Sequence, residues 1–361
     1  MLNKKINFAL VGCGKIAERH IDAIKNTNGA ALSAVCDFNQ DRVNEKAQLA
    51  SVPAYNNYHD MLNHEKNIDV IIISTPSGMH YEHAKEILIT YHKHIVLEKP
   101  MVMTVSQGYD LKKISDQLNL RIFPIYQNRF NTAVQFVKQA LVGSELGKVR
   151  VGTVRVRWCR PQSYYDQSAW RGTWSMDGGA ITNQGIHYID LLRHLCGEVK
   201  RVHAKLATLG ANIEVEDTAV AILEFENGAL GVIEILTSAR PDDFEASISC
   251  VCEKGLAVIS GNAANALTTY SPDPSQVLIK REDFKTPYGY GHDAIINGIV
   301  GCLLKNKKPI IEFDDGLATI QLLHALYKSD EVSGWVDVRE ASSDRLGRSN
   351  ESIAKLYSHA M

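Results

Sequence analysis

The chain has 361 residues, a length that favours two domains over one. Its apolar fraction of 45% is ordinary for a globular protein, and its formal net charge of −2 gives no reason to expect a nucleic acid or an anionic membrane as a partner. The seven cysteines lack zinc-type spacing, so we predict reduced thiols in a cytoplasmic protein without a metal site. The opening residues predict no signal peptide, and no apolar run is long enough to span a bilayer.

A glycine-rich turn near the start connects an apolar run at residues 6–11 to a segment with helical spacing at residues 16–25. Glycine lets the backbone approach a pyrophosphate, and the first N–H groups of the following helix point at the anion. Gly12 and Gly14 fit the first two glycines of the dinucleotide fingerprint, and Ala17 stands at the third. The turn therefore predicts a dinucleotide site built from Gly12, Cys13, Gly14, Lys15 and Ile16.

A second apolar run at residues 30–36 ends in Asp37. An acid at this place accepts hydrogen bonds from the adenosine ribose and repels a 2′-phosphate, which favours NAD over NADP. Considered alone, Asp37 would be a helix cap or a loop acid. The order strand, glycine turn, helix, strand and acid is what supports the cofactor prediction.

The first third of the chain alternates strands and helices, which predicts a doubly wound parallel sheet over residues 1–125. Further strands are predicted at 53–55, 68–74, 94–97 and 121–126, and further helices at 41–50, 79–90 and 104–118, with Thr104 as a cap. Ligands bind at the carboxyl edge of such sheets. The residues predicted there for the cofactor are Ser74, Thr75, Pro76, His80, Glu98, Lys99 and Gln127.

The second part, residues 126–338, has a different rhythm. Alternation by twos at residues 148–158 predicts a strand, a helix is predicted at 178–195, and strands around Glu226-Asn227-Gly228 predict a hairpin. Strands at 244–252 and 256–260 continue this sheet, and helices are predicted at 132–141, 292–304 and 316–327. We predict an α/β domain with an open, mostly antiparallel sheet, one face of which is available to a partner. Residues 339–361 form a polar extension without a predicted place.

Lys99 ends a predicted parallel strand and is followed by Pro100. A lysine at this edge lies close to a bound nicotinamide, where it can stabilise a developing alkoxide or relay a proton. The alternative is a surface lysine paired with Glu98.

A polar stripe runs along the helix predicted at 178–195. Asn183, His187, Asp190 and His194 recur at spacings that place them on one helical face. His187 can take a hydroxyl proton because its pKa lies near neutrality, whereas Asn183 can orient a substrate and Asp190 can hold the imidazole tautomer or bind a hydroxyl. The alternative is a solvated helix face.

Other candidates suit an anionic substrate. Trp170 and Arg171 offer an aromatic wall and a guanidinium fork for a phosphate or carboxylate. Arg160 is either a structural residue or a further candidate cation, and Arg129 follows the last strand of the first domain, where it can line the cleft.

Together, the glycine turn, Thr75-Pro76 with His80, Glu98-Lys99-Pro100, and Gly185-Ile186-His187 with Asp190 resemble the glucose–fructose oxidoreductase/inositol dehydrogenase (Gfo/Idh/MocA) family. The resemblance extends to about Val338. It implies a Rossmann domain followed by an α/β domain whose open sheet often forms the oligomer interface. It also implies hydride transfer between a nicotinamide and a sugar or cyclitol carbon, with Lys99 and His187 at the positions of the catalytic lysine and histidine.

The inositol dehydrogenase branch has an aspartate where this chain has Asn183. The bacterial dehydrogenases that oxidise UDP-N-acetylglucosaminuronate at the 3-hydroxyl resemble the chain at this position. The resemblance implies oxidation of a UDP-linked N-acetylated sugar, a step in surface polysaccharide precursor synthesis, by a homo-oligomer. The alternatives are a dehydrogenase of a free sugar or cyclitol and an NAD-binding sensor without turnover; the presence of both Lys99 and His187 disfavours the sensor.

Overall fold

The computed structural model describes residues 4–284 and 288–357, and these form two compact units. The first unit comprises the described parts of Met1–Ile125, His292–Leu317 and Ser349–Met361. The second comprises the described parts of Tyr126–Gly291 and Ala318–Arg348. The division differs from a linear one because residues 292–317 return to the first unit between the two segments of the second.

The first unit contains a six-stranded parallel sheet, as predicted, and its strand order is β3-β2-β1-β4-β5-β6. β4 reads Val-Ile-Ile-Ile and is completely buried, because helices cover both faces of a parallel sheet. The strand order reverses between β1 and β4, and ligands bind at such a switch point. The strands are β1 Ile6–Val11, β2 Ala30–Cys36, β3 Ala54–Tyr55, β4 Val70–Ile73, β5 His94–Leu97 and β6 Ile122–Pro124.

Within residues 4–125, five α-helices accompany this sheet: α1 Ala17–Asn26, α2 Gln40–Ala50, α3 Tyr58–His64, α4 His80–Glu86 and α5 Val105–Gln117. α3 has no counterpart among the predicted helices. The predicted cap of α5 is confirmed, since the Thr104 hydroxyl accepts a hydrogen bond from the Gln107 N–H and the Gln107 side chain accepts one from the Thr104 N–H.

The second unit contains an eight-stranded sheet in the order β13-β12-β11-β7-β10-β9-β8-β14. Every neighbouring pair is antiparallel except β7 and β10, so the prediction of an open, mostly antiparallel sheet is confirmed. The prediction lacked β13 and β14. The strands are β7 Val149–Arg157, β8 Val199–Ala207, β9 Thr218–Phe225, β10 Leu230–Leu236, β11 Glu245–Cys252, β12 Leu256–Ser260, β13 Ala266–Tyr270 and β14 Val336–Asp337.

Between residues 126 and 290, the α-helices are α6 Thr132–Val142, α7 Gln162–Tyr165, α8 Ala180–Asn183, α9 Ile186–Cys196 and α10 Gln276–Ile279. The prediction of one continuous helix over 178–195 is wrong. The Gly185 N–H donates to the Ala180 carbonyl over a wide turn, at 2.7 Å, and this turn separates α8 from α9. A Cβ at Gly185 would lie 2.8 Å from the Ile235 side chain, so only glycine fits where the chain bends against β10.

The final helices are α11 Gly291–Lys305, α12 Phe313–Val332 and α13 Glu351–Tyr357. Within the first unit, α11 packs near α1, since the Asn26 amide donates to the Asp293 carboxylate at 3.1 Å. In the second unit, the polar extension follows α12: Arg345 pairs with Asp330 at 2.8 Å and Arg348 with Glu214 at 2.7 Å.

Candidate active site

The glycine turn is fixed by the ends of two neighbouring strands. Gly12 has φ +101°, and a Cβ there would lie 2.6 Å from the Ser74 carbonyl group, so the position requires glycine. The Gly12 N–H donates to the Cys36 carbonyl at 2.8 Å, and the Ser74 hydroxyl donates to the Gly12 carbonyl at 2.8 Å. The turn is thereby held at the switch point of the sheet.

The space above the turn suits a pyrophosphate. A Cβ added at Gly14 would meet no atom within 4 Å. Among the residues that the structure describes, the N–H groups of Gly14, Lys15 and Ile16 have no hydrogen-bond acceptor. These donors precede α1, where the helix dipole favours an anion. The residues present therefore fit a dinucleotide.

Asp37 lies directly after β2 and is buried. Its carboxylate accepts hydrogen bonds from the Cys13 N–H at 2.7 Å and the Asn39 N–H at 2.9 Å. A carboxylate has about four acceptor positions, so it retains capacity for ribose hydroxyls. Burial, followed by the charge of Asp37, raises the pKa of the Cys13 thiol to about 12, which keeps that thiol protonated.

His80 connects the loops after β4 and β5. It is 1% exposed, and its ring nitrogens lie 2.9 Å from the carbonyl oxygens of Pro100 and Thr75. Burial lowers the pKa of His80 and outweighs the hydrogen bonds with the two carbonyl groups, which raise it. The His80 side chain thus connects the backbone at Thr75 to the backbone at Pro100. Pro100 directly follows Lys99, so this contact also fixes the loop that carries Lys99.

The Glu98 carboxylate holds the backbone at Lys99 and contacts two buried histidines. The Lys99 N–H donates to Glu98 Oε2 at 3.1 Å, and Glu98 Oε1 lies 2.8 Å from His20 Nε2 and 3.5 Å from His292 Nε2. Burial raises the pKa of Glu98, but the hydrogen bond with His20 and the nearby His292 ring outweigh it and hold the pKa of Glu98 well below its usual range. The ligand atoms of this buried triad lie within 4.8 Å of one another, a spacing that also suits a metal ion; the absence of a metal site stays a prediction.

In the second unit, Asn183 lies at the end of α8, whereas His187 and Asp190 lie on α9. The predicted stripe along one continuous helix is wrong because the chain breaks after Asn183. The Asn183 amide donates to the Asp177 carboxylate, and Asp177 in turn accepts from the Gly172 N–H at 2.8 Å. His187 lies in the first turn of α9 and is partly exposed.

Asp190 is buried and bonds to Arg129. The Arg129 Nε and Nη2 atoms donate to the two Asp190 oxygens at 2.7 and 2.6 Å, and the Thr319 hydroxyl donates to the same carboxylate at 2.9 Å. The pair is bidentate and fixes α9 at its centre. Contact of Arg129 or Asp190 with a substrate stays a prediction.

Gln127 begins a 3₁₀ turn in the second unit. Its side chain is buried, and the described residues offer no donor to its Oε1 atom. Its contact with the cofactor also stays a prediction.

The remaining candidates cluster on the loop after β7. The Arg160 guanidinium carbon lies 5.2 Å from the Trp158 ring centroid, and Arg160 pairs with Asp243 at 2.9 Å. The Arg171 guanidinium carbon lies 4.3 Å from the Tyr164 centroid and 4.8 Å from that of Trp170. Tyr164, Asp177 and Gln184 are not among the residues predicted from the sequence. The one sequence signal for an aromatic cation site here is the tyrosine pair 164–165 near two arginines.

Comparison with known proteins places these features in one family. Residues 6–126 match the family model described as an oxidoreductase family with an NAD-binding Rossmann fold, and residues 134–258 match the GFO/IDH/MocA C-terminal domain. The WlbA dehydrogenase from Bordetella pertussis, solved in complex with NADH and UDP-GlcNAcA, is 35% identical, with a TM-score of 0.87 over 93% of this chain and 99% of that chain. The chain belongs to the Gfo/Idh/MocA oxidoreductase family.

Other members of the Gfo/Idh/MocA family are also similar. The WlbA dehydrogenase from Chromobacterium violaceum, in complex with the same two ligands, is 33% identical, with a TM-score of 0.84 over 93% of this chain and 97% of that one. Myo-inositol 2-dehydrogenase of Thermotoga maritima is 27% identical over 63% of this chain and 68% of the relative. D-Glucoside 3-dehydrogenase of Escherichia coli is 25% identical over 94% and 99%.

Family membership confirms the predicted NAD cofactor and the class of enzyme: the chain is an NAD-dependent oxidoreductase of a sugar dehydrogenase family. No helix in the described residues is both long and apolar enough to cross a membrane. The roles of individual site residues, the oligomeric state and the cytoplasmic location stay predictions.

Proposed function

We propose that the enzyme oxidises the 3-hydroxyl of a UDP-linked N-acetylated sugar of the UDP-N-acetylglucosaminuronate type, for surface polysaccharide precursor synthesis. The observation that carries the proposal is the 33–35% identity, over 93% of this chain, to two dehydrogenases solved with UDP-GlcNAcA. The inositol and glucoside relatives are less similar, at 25–27% identity. The charged and aromatic loop that carries Arg160, Trp170 and Arg171 supports an anionic substrate.

The proposed chemistry divides between two side chains. When bound, NAD⁺ supplies the acceptor for the hydride that leaves the sugar carbon. His187 takes the proton from the hydroxyl of that carbon, and the Lys99 ammonium stabilises the negative charge developing on its oxygen. Asn183 orients the sugar and carries no proton. The N–H groups of residues 14–16 would hold the NAD pyrophosphate, and the Asp37 carboxylate would accept hydrogen bonds from the ribose.

The test is NAD⁺ reduction at stoichiometric enzyme concentration, followed at the nicotinamide absorbance. Parallel samples contain UDP-N-acetylglucosaminuronate, UDP-N-acetylglucosamine, myo-inositol or D-glucose. A high enzyme concentration records even a single turnover, which matters if NADH stays bound. We expect reduction with UDP-N-acetylglucosaminuronate.

The second candidate function is oxidation of a free sugar or cyclitol, and the inositol and glucoside dehydrogenase relatives favour it. Reduction with inositol or glucose, and none with either UDP-sugar, would replace the proposal by this alternative.

A further inference from the structure

We propose that Tyr164, Arg171 and Gln184 form a subsite that binds the carboxylate of a sugar acid. This inference rests on the proposed function and deepens it, because it assigns the group that distinguishes a uronate from a neutral sugar. All three residues lie in the second unit, and two of them were not predicted from the sequence.

The Tyr164 hydroxyl oxygen already accepts two hydrogen bonds. Gln184 Nε2 donates to it at 3.0 Å, and Arg171 Nη1 donates to it as well. A phenol has one further function, its own O–H donor. In the part of the chain that the structure describes, this donor has no acceptor, and burial raises the pKa of Tyr164, so the proton is retained at neutral pH.

Arg171 carries a charge that forms no ion pair with a carboxylate of the described residues. Of the three arginines predicted to bind the substrate, Arg129 pairs with Asp190 and Arg160 with Asp243, whereas Arg171 has no ion pair with a described residue. Its Nε atom is buried and has no acceptor among those residues. Stacking on Tyr164 and Trp170 fixes the guanidinium plane, so this donor is oriented in advance.

Gln184 connects the cluster to the proposed reaction centre. It is buried in the break between α8 and α9, directly after Asn183 and three residues before His187. A ligand bonded to Tyr164 and Arg171 is therefore held beside the segment that carries both predicted substrate residues.

The chemistry of the cluster matches a carboxylate. A carboxylate accepts hydrogen bonds without donating any, and the cluster offers the Tyr164 O–H, the Arg171 Nε–H and one positive charge. The hydroxymethyl group of a neutral sugar would bring a further donor and no charge. A diphosphate would leave most of its charge unpaired against a single guanidinium group.

The experiment compares steady-state or single-turnover kinetics with UDP-N-acetylglucosaminuronate and UDP-N-acetylglucosamine in Arg171→Gln and Tyr164→Phe. A charge-assisted hydrogen bond is worth about 1.5–3 kcal/mol, or roughly 10–100-fold in binding. We expect Arg171→Gln to raise the KM for the uronate by this factor and to change the KM for the neutral sugar by less than about threefold. Tyr164→Phe should produce a smaller change of the same kind.

The matched control is Arg281→Gln, which removes an exposed guanidinium whose ion pair among the described residues is with Asp283. Equal changes in KM for both sugars, or none for either, would overturn the subsite while leaving the proposed function intact.

If neither UDP-sugar is oxidised, calorimetry still tests the subsite. Free D-glucuronate and N-acetylglucosamine are titrated into the NADH-loaded wild type and Arg171→Gln. Binding of glucuronate that the substitution abolishes supports the subsite, and binding that is equal in both proteins, or absent from the wild type, overturns it.

Discussion

Glu216 is a carboxyl group that the fold keeps neutral. It is 4% exposed, and Glu216 Oε1 accepts hydrogen bonds from the Ile181 N–H and the Tyr327 hydroxyl, each at 3.1 Å. Burial outweighs these bonds and raises the pKa of Glu216 to about 8. A Cβ at Gly179 would lie 1.9 Å from Glu216 Oε2, so the glycine makes room for the carboxyl group beneath α8.

We expect Glu216→Gln to stabilise the protein at alkaline pH. The folded-state pKa is raised, so the stabilisation from the neutral carboxyl is present below the unfolded pKa and is lost as pH rises toward 8. A tenfold difference in proton affinity between the folded and unfolded states corresponds to about 1.4 kcal/mol, and glutamine has no proton to lose. The Tm difference between variant and wild type should grow from pH 5 to 8 and level off above it. A difference independent of pH would contradict the neutral carboxyl.

Substitution of Lys99 tests the proposed chemistry most directly. Lys99→Met removes the ammonium group but retains the backbone N–H that bonds to Glu98, so the loop should keep its shape. We expect turnover to fall by at least about 100-fold, while the Kd for NADH, measured by fluorescence titration, changes by less than about fivefold. The control is Lys113→Met on the exposed face of α5. A fully active Lys99→Met would exclude the catalytic role.

At the residue scale, the sequence predicts those site residues whose role depends on their neighbours along the chain. The glycines and Asp37 could be found because the turn and its acid follow from local order. The pairing of Arg129 with Asp190, 61 residues apart, could not, because it depends on how α9 packs. Gln184 could not be predicted for the same reason, because its hydrogen bond to Tyr164 joins residues 20 positions apart.

At the scale of elements, the cap of α5 is a measurable contribution to stability. Thr104→Ala removes the hydroxyl that accepts from the Gln107 N–H, and we expect a loss of about 1 kcal/mol in the free energy of unfolding. Urea denaturation of the holoenzyme measures it. Thr104→Ser keeps the acceptor and should remain within about 0.5 kcal/mol of the wild type; an equal loss in both variants would show that the methyl group, not the cap, is responsible.

The strands of the first unit were predictable because short apolar runs in a parallel sheet have no helical alternative of that length. The break between α8 and α9 was not. Apolar spacing on both sides of Gly185 is compatible with one helix, and the contact with Ile235 that requires the bend comes from a strand about 50 residues later. Tertiary packing therefore decided the boundary that local pattern left open.

At the scale of the whole molecule, the eight-stranded sheet has one exposed face. Ile222 pairs with Val232 across β9 and β10, and Val220 pairs with Glu234; the two aliphatic side chains on β9 are about half exposed. Glu234 forms ion pairs with Arg155 and Arg157 on β7. We propose that this aliphatic and ion-paired face forms a homo-oligomer interface, as predicted from the family resemblance.

We expect the wild type to elute as a dimer or tetramer and Ile222→Glu to lower the mass measured by light scattering. A buried unpaired carboxylate would weaken the interface, whereas Leu278→Glu, at a side chain 88% exposed on α10, should leave the mass unchanged. A monomeric wild type, or an unchanged Ile222→Glu, would exclude this face.

The return of residues 292–317 to the first unit gives its synthesis an unusual order. At roughly 5–20 residues per second, a ribosome needs roughly 10–30 s to make the intervening segment Tyr126–Gly291 of the second unit. During that interval His20 and Glu98 have been made but His292 has not, and Gly29 lacks the Val300 side chain that packs against it. The nascent dinucleotide-binding unit therefore lacks these contacts during that interval, and we expect residues 1–125 expressed alone to be less stable than the same unit completed by residues 292–317.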